Sequence, residues 1–283
     1  MNRITGKTKL LGVIGDPIEH SLSPIMHNAA IDQMQIDFAY VPFHIRPEDL
    51  RTAIDGFSAI DLRGFSVTIP HKQTIMPLLS EITDGARAIG AVNTVWKSDR
   101  GWCGTNTDIV GFVAPIKERD WKSSIALILG NGGAARAVVA GCHQLGFSEI
   151  HVVGRNAEKL QEFARSWSID SLSVHTWDQI SEILPRADLI VNTTPIGMSP
   201  HSDQSPLTDK QAELMRSNSV AYDLIYVPNP TKFLQQAQQR EAEAIDGLEM
   251  LVQQGAAALE IWTGQTVPDA VMRRSLRSHL GFV

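Results

Sequence analysis

Short apolar runs alternate with helix-like segments along the first hundred residues of the chain. Leu10-Leu11-Gly12-Val13-Ile14, Phe38-Ala39-Tyr40-Val41 and Gly64-Phe65-Ser66-Val67-Thr68 read as strands. Between them, Pro24 to Met34 and Pro47 to Gly56 read as helices, each opened by a proline in its first turn. Val92 to Lys97 and Trp102 to Thr105, joined across Asp99-Arg100-Gly101, predict a hairpin, with a helix from about Asp108 to Glu118 behind it. The second half continues the alternation. Ile125 to Leu129, Glu149 to Val153, Leu189 to Val191 and Val220 to Tyr222 read as strands, and Ala135 to Leu145 as a helix. The chain closes on two helices, Leu248 to Trp262 and roughly Val267 to Leu280, the first carrying a slim Gly255-Ala256-Ala257-Ala258 face. Strands alternating with helices predict an α/β fold built on mainly parallel sheet.

One junction in this pattern carries chemistry on its own. The buried strand Ile125 to Leu129 empties into Gly130-Asn131-Gly132-Gly133-Ala134-Ala135-Arg136 and then a helix, which is the setting a dinucleotide fingerprint requires. Gly130 permits the tight turn, Gly132 lets backbone approach a pyrophosphate, and Ala135 fills the third, small position. The helix start offers unpaired N–H groups and the positive end of its dipole. The next strand ends at Val153-Gly154-Arg155-Asn156, where NAD enzymes place an acidic residue for the ribose 2′-hydroxyl. None stands there. Arg155 and Lys159 offer positive charge for a 2′-phosphate instead, the plain alternative being a solvated helix surface.

Composition narrows the remaining choices. The 283 residues suffice for one large or two ordinary domains, and a hydrophobic share of 43% with 20% charged residues is that of a soluble globular protein. A net charge of −6 with no basic run argues against a nucleic-acid partner. No apolar stretch is long enough for a membrane span, the N-terminal apolar run is broken too early for a signal peptide, and two isolated cysteines suit a reducing, cytoplasmic setting. The nine histidines show no zinc-ligand spacing, so no metal is expected, and no GxSxG elbow is present.

Polar residues gather where strands end, the edge at which parallel α/β sheets bind ligands. Ser21 and Ser23 precede a helix; they can cap it or hold a carboxylate, and the residues alone favour capping. Ser66 and Thr68 project to one side of their strand, which ends in Pro70-His71-Lys72. Lys72 would sit at a helix start, where a cation is unfavourable, so a functional reason is expected. His71 is given no role. Ala91-Val92-Asn93-Thr94 and Gly104-Thr105-Asn106-Thr107-Asp108 bring an amide and a carboxylate to the hairpin ends. Asp108 is either a helix cap or an ion-pair partner for Lys72. A lysine so paired is an acid able to protonate a carbonyl being reduced, and in reverse a base for an alcohol.

These segments, together with Asn192-Thr193-Thr194-Pro195-Ile196-Gly197-Met198, Tyr222-Asp223-Leu224-Ile225-Tyr226 and Asp246-Gly247-Leu248-Glu249-Met250-Leu251-Val252-Gln253-Gln254, occur in the order found in the shikimate dehydrogenase family. The chain resembles that family over essentially its whole length, His27-Asn28 after the serines included. The resemblance implies two α/β domains with the active site in the cleft between them. A mixed-sheet substrate domain (1–107) would precede a Rossmann-type, doubly wound NADP domain (108–246), and C-terminal helices (247–283) would return to the first. It implies reversible NADPH-dependent reduction of 3-dehydroshikimate to shikimate, in the supply of chorismate for aromatic amino acids. Lys72 and Asp108 look like the catalytic pair, and Ser21 and Ser23 would hold the substrate carboxylate, against the capping reading. Ser66, Thr68, Asn93, Tyr226 and Gln254 would complete the substrate contacts. Gly130, Asn131, Gly132, Gly133, Ala134, Gly154, Thr194 and Leu224 would hold the cofactor, with Met198 and Gly247 on its nicotinamide side. Arg155, Asn156 and Lys159 resemble the clamp on the adenosine phosphate. The chain departs from the pattern at Ser66, where many members carry Asn, and at Gly154-Arg155-Asn156, where Asn-Arg-Thr is commoner. A quinate/shikimate dehydrogenase using NAD or NADP is the nearest alternative, a non-catalytic metabolite-binding homologue the more distant one. The expected partner is a small molecule, and the expected state a monomer or homodimer.

Overall fold

Among residues 4–282, which the computed structural model describes, twelve strands fall into two sheets of six. In the first, β1 (Lys9–Gly15) lies between β2 (Phe38–His44) and β3 (Gly64–Val67), all parallel. The edge strand β4 (Glu81–Ile82) pairs with β6 (Gly101–Thr105), and β5 (Thr94–Ser98) joins β6 to β3 in antiparallel register. The sheet is therefore mixed, in the order β2-β1-β3-β5-β6-β4. Its helices are α1 (Ser23–Met34), α2 (Leu50–Ala59), α3 (His71–Thr74), α4 (Asp84–Ile89) and α5 (Asp108–Val113). One core packs Ile14, Phe65, Val67 and Val95 of the sheet against Leu50, Ile54 and Phe57 of α2.

Two of these helices differ from expectation. A 3-10 turn, Pro47–Asp49, precedes α2, and the helix then runs past Gly56, which faces open space, to Ala59. Helix α5 stops at Val113 rather than near Glu118. Pro115 lacks the N–H that the next turn needs, and it disfavours helical geometry in the residue before it.

The second sheet is parallel throughout: β7 (Ile125–Leu129), β8 (Glu149–Gly154), β9 (Leu172–Thr176), β10 (Leu189–Asn192), β11 (Val220–Asp223) and β12 (Glu243–Ile245). Its order is β12-β11-β10-β7-β8-β9, so the winding reverses between β7 and β10. Alternate side chains feed two cores. Ala126, Ile128, Ile150 and Val152 meet α6 (Gly133–Leu145) and α7 (Ala157–Arg165) on one face. Leu127, Leu129 and Ile190 meet α8 (Ile180–Ile183) and α10 (Lys232–Gln239) on the other, near the short α9 (Asp209–Ala212). This is the doubly wound arrangement, and the reversal point marks the crevice where such sheets bind ligands.

The contacts divide the chain into two units: one up to Gly111 together with everything from Leu251, the other Phe112–Met250. Both divisions fall inside helices, within α5 and within α11 (Leu248–Thr263), shortly after the expected boundaries at 107 and 246, which lie in the loops before those helices. From Leu251 on, α11 and all of α12 (Asp269–Leu280) belong to the first unit. Gly255 lets α11 approach α1 closely, since a side chain on it would displace the end of Met26. Trp262 lies across Gly64 and donates from Nε1 to the Val95 carbonyl at 2.8 Å. Helix α12 starts at Asp269, not Val267, because Pro268 keeps the residue before it out of the helix.

Candidate active site and dinucleotide site

In the first unit, the ends of β3 and β6 bring two residues from distant sequence positions into contact. Lys72 Nζ donates to Asp108 Oδ2 at 2.5 Å, with the two side chains 19% and 7% exposed. The second carboxylate oxygen, Oδ1, accepts from Asn93 Nδ2 at 2.7 Å. Asp108 also stands in the first turn of α5, where the helix dipole favours a negative charge. Its backbone N–H donates to Asn106 Oδ1 at 2.9 Å, and Asn106 Nδ2 donates to the Ala91 carbonyl. The carboxylate is held from every side.

Asn93 sets the polarity of this network. Its Oδ1 accepts from the Thr107 backbone N–H at 2.7 Å and from Thr94 Oγ1 at 2.9 Å. A backbone N–H can only donate, so the amide cannot be flipped, and Nδ2 must face Asp108. The same Nδ2 lies 3.5 Å from Gln254 Oε1, while Gln254 Nε2 donates to the Leu251 carbonyl. Lys72, Asn93, Asp108 and Gln254 are thus gathered in one place. His71 is wholly buried, with Nε2 on the Ile45 carbonyl at 2.7 Å, and is part of the frame.

The serines before α1 are not caps. The cap position is Leu22, and no side chain closes that helix end. Ser21 Oγ accepts only a 3.4 Å contact from the Ser23 N–H, so both hydroxyls have capacity left for a ligand. Ser66 receives a hydrogen bond from Tyr40. The Thr68 backbone bonds to Ile14 and His71, and its methyl abuts Gly15. Tyr226 lies in the second unit, where burial pushes its phenol pKa upward.

In the second unit a cavity of about 330 Å³ opens at the reversal point of the sheet. Gly130, Asn131, Gly132, Gly154, Arg155 and Thr194, all among the residues expected to meet a cofactor, line it. Gly130 has a φ of +106°, and a Cβ there would come within 2.8 Å of Thr193 Oγ1. Gly132 is different: no atom lies within 4 Å of where its Cβ would be. Behind it, α6 begins with no side-chain cap and no acidic residue in its first turn. Gly133 and Ala134 therefore present N–H groups to an open cradle, which fits a pyrophosphate. Arg155 is exposed at the end of β8 with no acidic residue beside it in sequence, which fits a ribose bearing a 2′-phosphate.

The remaining cofactor candidates fall outside that cavity. Asn156 Oδ1 caps α7 by accepting from the Lys159 N–H at 2.9 Å, so its side chain is already engaged. Lys159 and Met198 are exposed, and Leu224 bonds through its N–H to the Asn192 carbonyl. Gly247 packs against the Leu224 carbonyl too closely for any side chain. Sequence reasoning missed Trp177 and Pro206, which also line the cavity and lie in unremarkable polar context. It also gave Asp223 no role. That carboxylate is fully buried, accepts from Asn192 Nδ2, the Ile225 N–H and Thr231 Oγ1, and shapes the loops after β10 and β11. Burial raises its pKa to about 7.

A doubly wound unit with a phosphate cradle and a separate mixed-sheet unit carrying a Lys–Asp pair define a dinucleotide-dependent dehydrogenase. Known proteins narrow the class. Family models for the shikimate dehydrogenase substrate binding domain, shikimate / quinate 5-dehydrogenase and the shikimate 5′-dehydrogenase C-terminal domain match residues 13–95, 113–250 and 247–277. The shikimate dehydrogenase (NADP(+)) of Trichormus variabilis is 60% identical over 99% of this chain and 100% of its own. A shikimate dehydrogenase crystallised with NADP+ is 38% identical with a TM-score of 0.90, each chain covered to 98%. Shikimate 5-dehydrogenase from Listeria monocytogenes, in complex with shikimate and NAD, is 32% identical with a TM-score of 0.87, covering 98% of this chain and 99% of its own. The chain belongs to the shikimate dehydrogenase family.

Proposed function

We propose that this protein catalyses the reversible, NADPH-dependent reduction of 3-dehydroshikimate to shikimate, with Lys72 as the proton donor. The observation that carries the reading is the 2.5 Å Lys72–Asp108 pair, locked in orientation by Asn93. When bound, NADPH supplies the hydride. The ring oxygen that gains electron density then needs a proton, and Lys72 Nζ holds one. In the oxidative direction the same nitrogen accepts the hydroxyl proton. Asp108 keeps the lysine aimed, and its own second oxygen is fixed by Asn93, so the pair cannot rotate away. Gln254 and Asn93 offer amide groups to the neighbouring ring hydroxyls, while Ser21, Ser23, Ser66 and Thr68 offer hydroxyls. Ser21 and Ser23 would take the carboxylate, and Tyr226 is the tyrosine assigned to the substrate.

Gly130, Asn131, Gly132, Gly133, Ala134, Gly154 and Thr194 would hold the dinucleotide phosphates, with Arg155 and Lys159 on the adenosine phosphate. Met198 and Gly247 would flank the nicotinamide, with Leu224 a further cofactor contact. Among the described residues no helix is long and apolar enough to cross a membrane and no group of three His, Cys, Asp or Glu could hold a metal. Two free cysteines, both buried, suit the cytoplasm as the place of action. The deciding experiment is a matrix of steady-state rates for shikimate and quinate against NADP+ and NAD+. Shikimate with NADP+ is expected to give the highest kcat/KM; a preference for quinate or for NAD+ would reassign the enzyme within its family.

A further inference from the structure

The His27-Asn28 pair takes no part in the Lys72–Asp108 network, and yet both residues converge on Tyr40, Asn28 on its backbone and His27 on its ring. Asn28 Oδ1 accepts from the Tyr40 N–H at 3.0 Å, and Asn28 Nδ2 donates to the Tyr40 and Pro24 carbonyls, each at 2.8 Å. That pins β2 to α1 at Tyr40. His27 stacks on the Tyr40 ring with centroids 4.1 Å apart and planes 12° from parallel, and Trp262 tilts against both. Burial lowers the His27 pKa to about 3, so the stacked plate is neutral. Tyr40 is 1% exposed and is fixed by ring and backbone alike.

Its one polar tip reaches a serine. Tyr40 Oη donates to Ser66 Oγ at 2.9 Å. Burial pushes the phenol pKa upward, so the donor proton stays on. A serine hydroxyl has a single hydrogen and rotates freely. Once Tyr40 occupies a lone pair of Ser66, the Ser66 hydrogen must point elsewhere, to an acceptor. An Asn at this position would carry amide hydrogens in a fixed plane and need no neighbour to aim them. A serine does.

We propose that Tyr40 is a positioning residue for the substrate site: by donating to Ser66, it turns the Ser66 hydroxyl into a donor for a substrate oxygen. The inference rests on the function proposed above, in which Ser66 touches the substrate.

Tyr40→Phe removes the oxygen and leaves the stacked ring. In shikimate oxidation it is expected to raise the shikimate KM roughly fivefold, the worth of one neutral hydrogen bond. The KM for NADP+ should stay within about twofold, and in a Ser66→Asn background the same substitution should change little. An unchanged shikimate KM overturns the proposal, as does an equal rise in both KM values or the same effect in the Ser66→Asn background. A wild type unable to oxidise shikimate overturns the function instead. Should Tyr40→Phe fail to fold, the intact chain still answers. It has three tyrosines, so labelling with 13C at Cζ gives a Tyr40 signal that can be assigned through Tyr222→Phe and Tyr226→Phe. Shikimate should shift that signal, and Ser66→Ala should reduce the shift; a signal that shikimate does not move removes Tyr40 from the site.

Discussion

The two units build their candidate sites from opposite materials. The first uses side chains: Lys72, Asp108, Asn93 and Thr107 hold one another in a closed set of hydrogen bonds, each atom's role dictated by the next. The second uses backbone: a glycine turn at a sheet reversal, the open space before Gly132 and an uncapped helix start. A side-chain site aims a proton at one atom and fails when any functional group is exchanged. A backbone site binds phosphate through N–H groups that every residue type carries, and fails when something fills its space. Chemistry at a single atom needs the first, and gripping a large cofactor needs only the second.

The sharpest break of this contrast is at Lys72. Lys72→Met keeps the stem and deletes the acid, and is expected to lower kcat at least about a hundredfold, some 3 kcal/mol of barrier. The KM for NADP+ should scarcely move, because the cradle belongs to the other unit. Rates followed at 340 nm check this, and a kcat near that of wild type would remove the ion pair from the chemistry.

Gly132→Ala probes the opposite material. The new methyl meets no protein atom, so the melting temperature should hold. It would occupy the cradle, and the KM for NADP+ should rise roughly thirtyfold, about 2 kcal/mol. A fall in melting temperature with unchanged KM would show that Gly132 serves the turn and not the ligand.

Arg155 is the exception that sharpens the comparison, a side chain that adds discrimination to a backbone site. Arg155→Ala should raise the KM for NADP+ by roughly tenfold, as expected for loss of a charge-assisted bond to phosphate, and leave that for NAD+ unchanged. Equal effects on both cofactors would cancel the phosphate assignment.

What the chain disclosed in advance follows the same division. The phosphate cradle was legible because its requirements are local: a buried strand, Gly130 to Gly133 and a helix, all within one stretch. Lys72 and Asp108 were each legible as anomalies, a cation at a helix start and a carboxylate at a hairpin end. Their pairing is a long-range fact set by β3 and β6, which the residues alone left open against a helix cap. The serines before α1 were misjudged from residues alone, since Ser before Pro usually caps and here Leu22 holds that position. Edge strands such as β4, two residues long, carry too little pattern to see. Asp223 was invisible for another reason. Its role comes from three donors, one at the end of β10 and two along the segment between β11 and α10, and no spacing in the sequence announces them.

That buried carboxylate supplies the smallest expected effect and one that separates the units by sign. In the first unit, His27 has a pKa lowered by burial from 6.5 to about 3. The unfolded chain binds its proton first, so stability from this group is full above pH 6.5 and drains as pH falls toward 3. In the second, Asp223 has a pKa raised by burial from 3.8 to about 7. Here the folded chain binds the extra proton, so the contribution is full below pH 3.8 and is lost as pH rises through about 7. Melting temperatures measured from pH 4.5 to 7.5 should therefore respond in opposite directions to Asp223→Asn and His27→Leu. The first removes a downward slope with rising pH, and the second removes an upward one. Neither ring nitrogen of His27 has a hydrogen-bond partner to lose; Leu also gives up the stacking on Tyr40, which lowers the melting temperature alike at every pH and leaves the slope to report the charge. Matching slopes in the two variants would mean that one of these groups titrates in water, and that its burial does not set its proton.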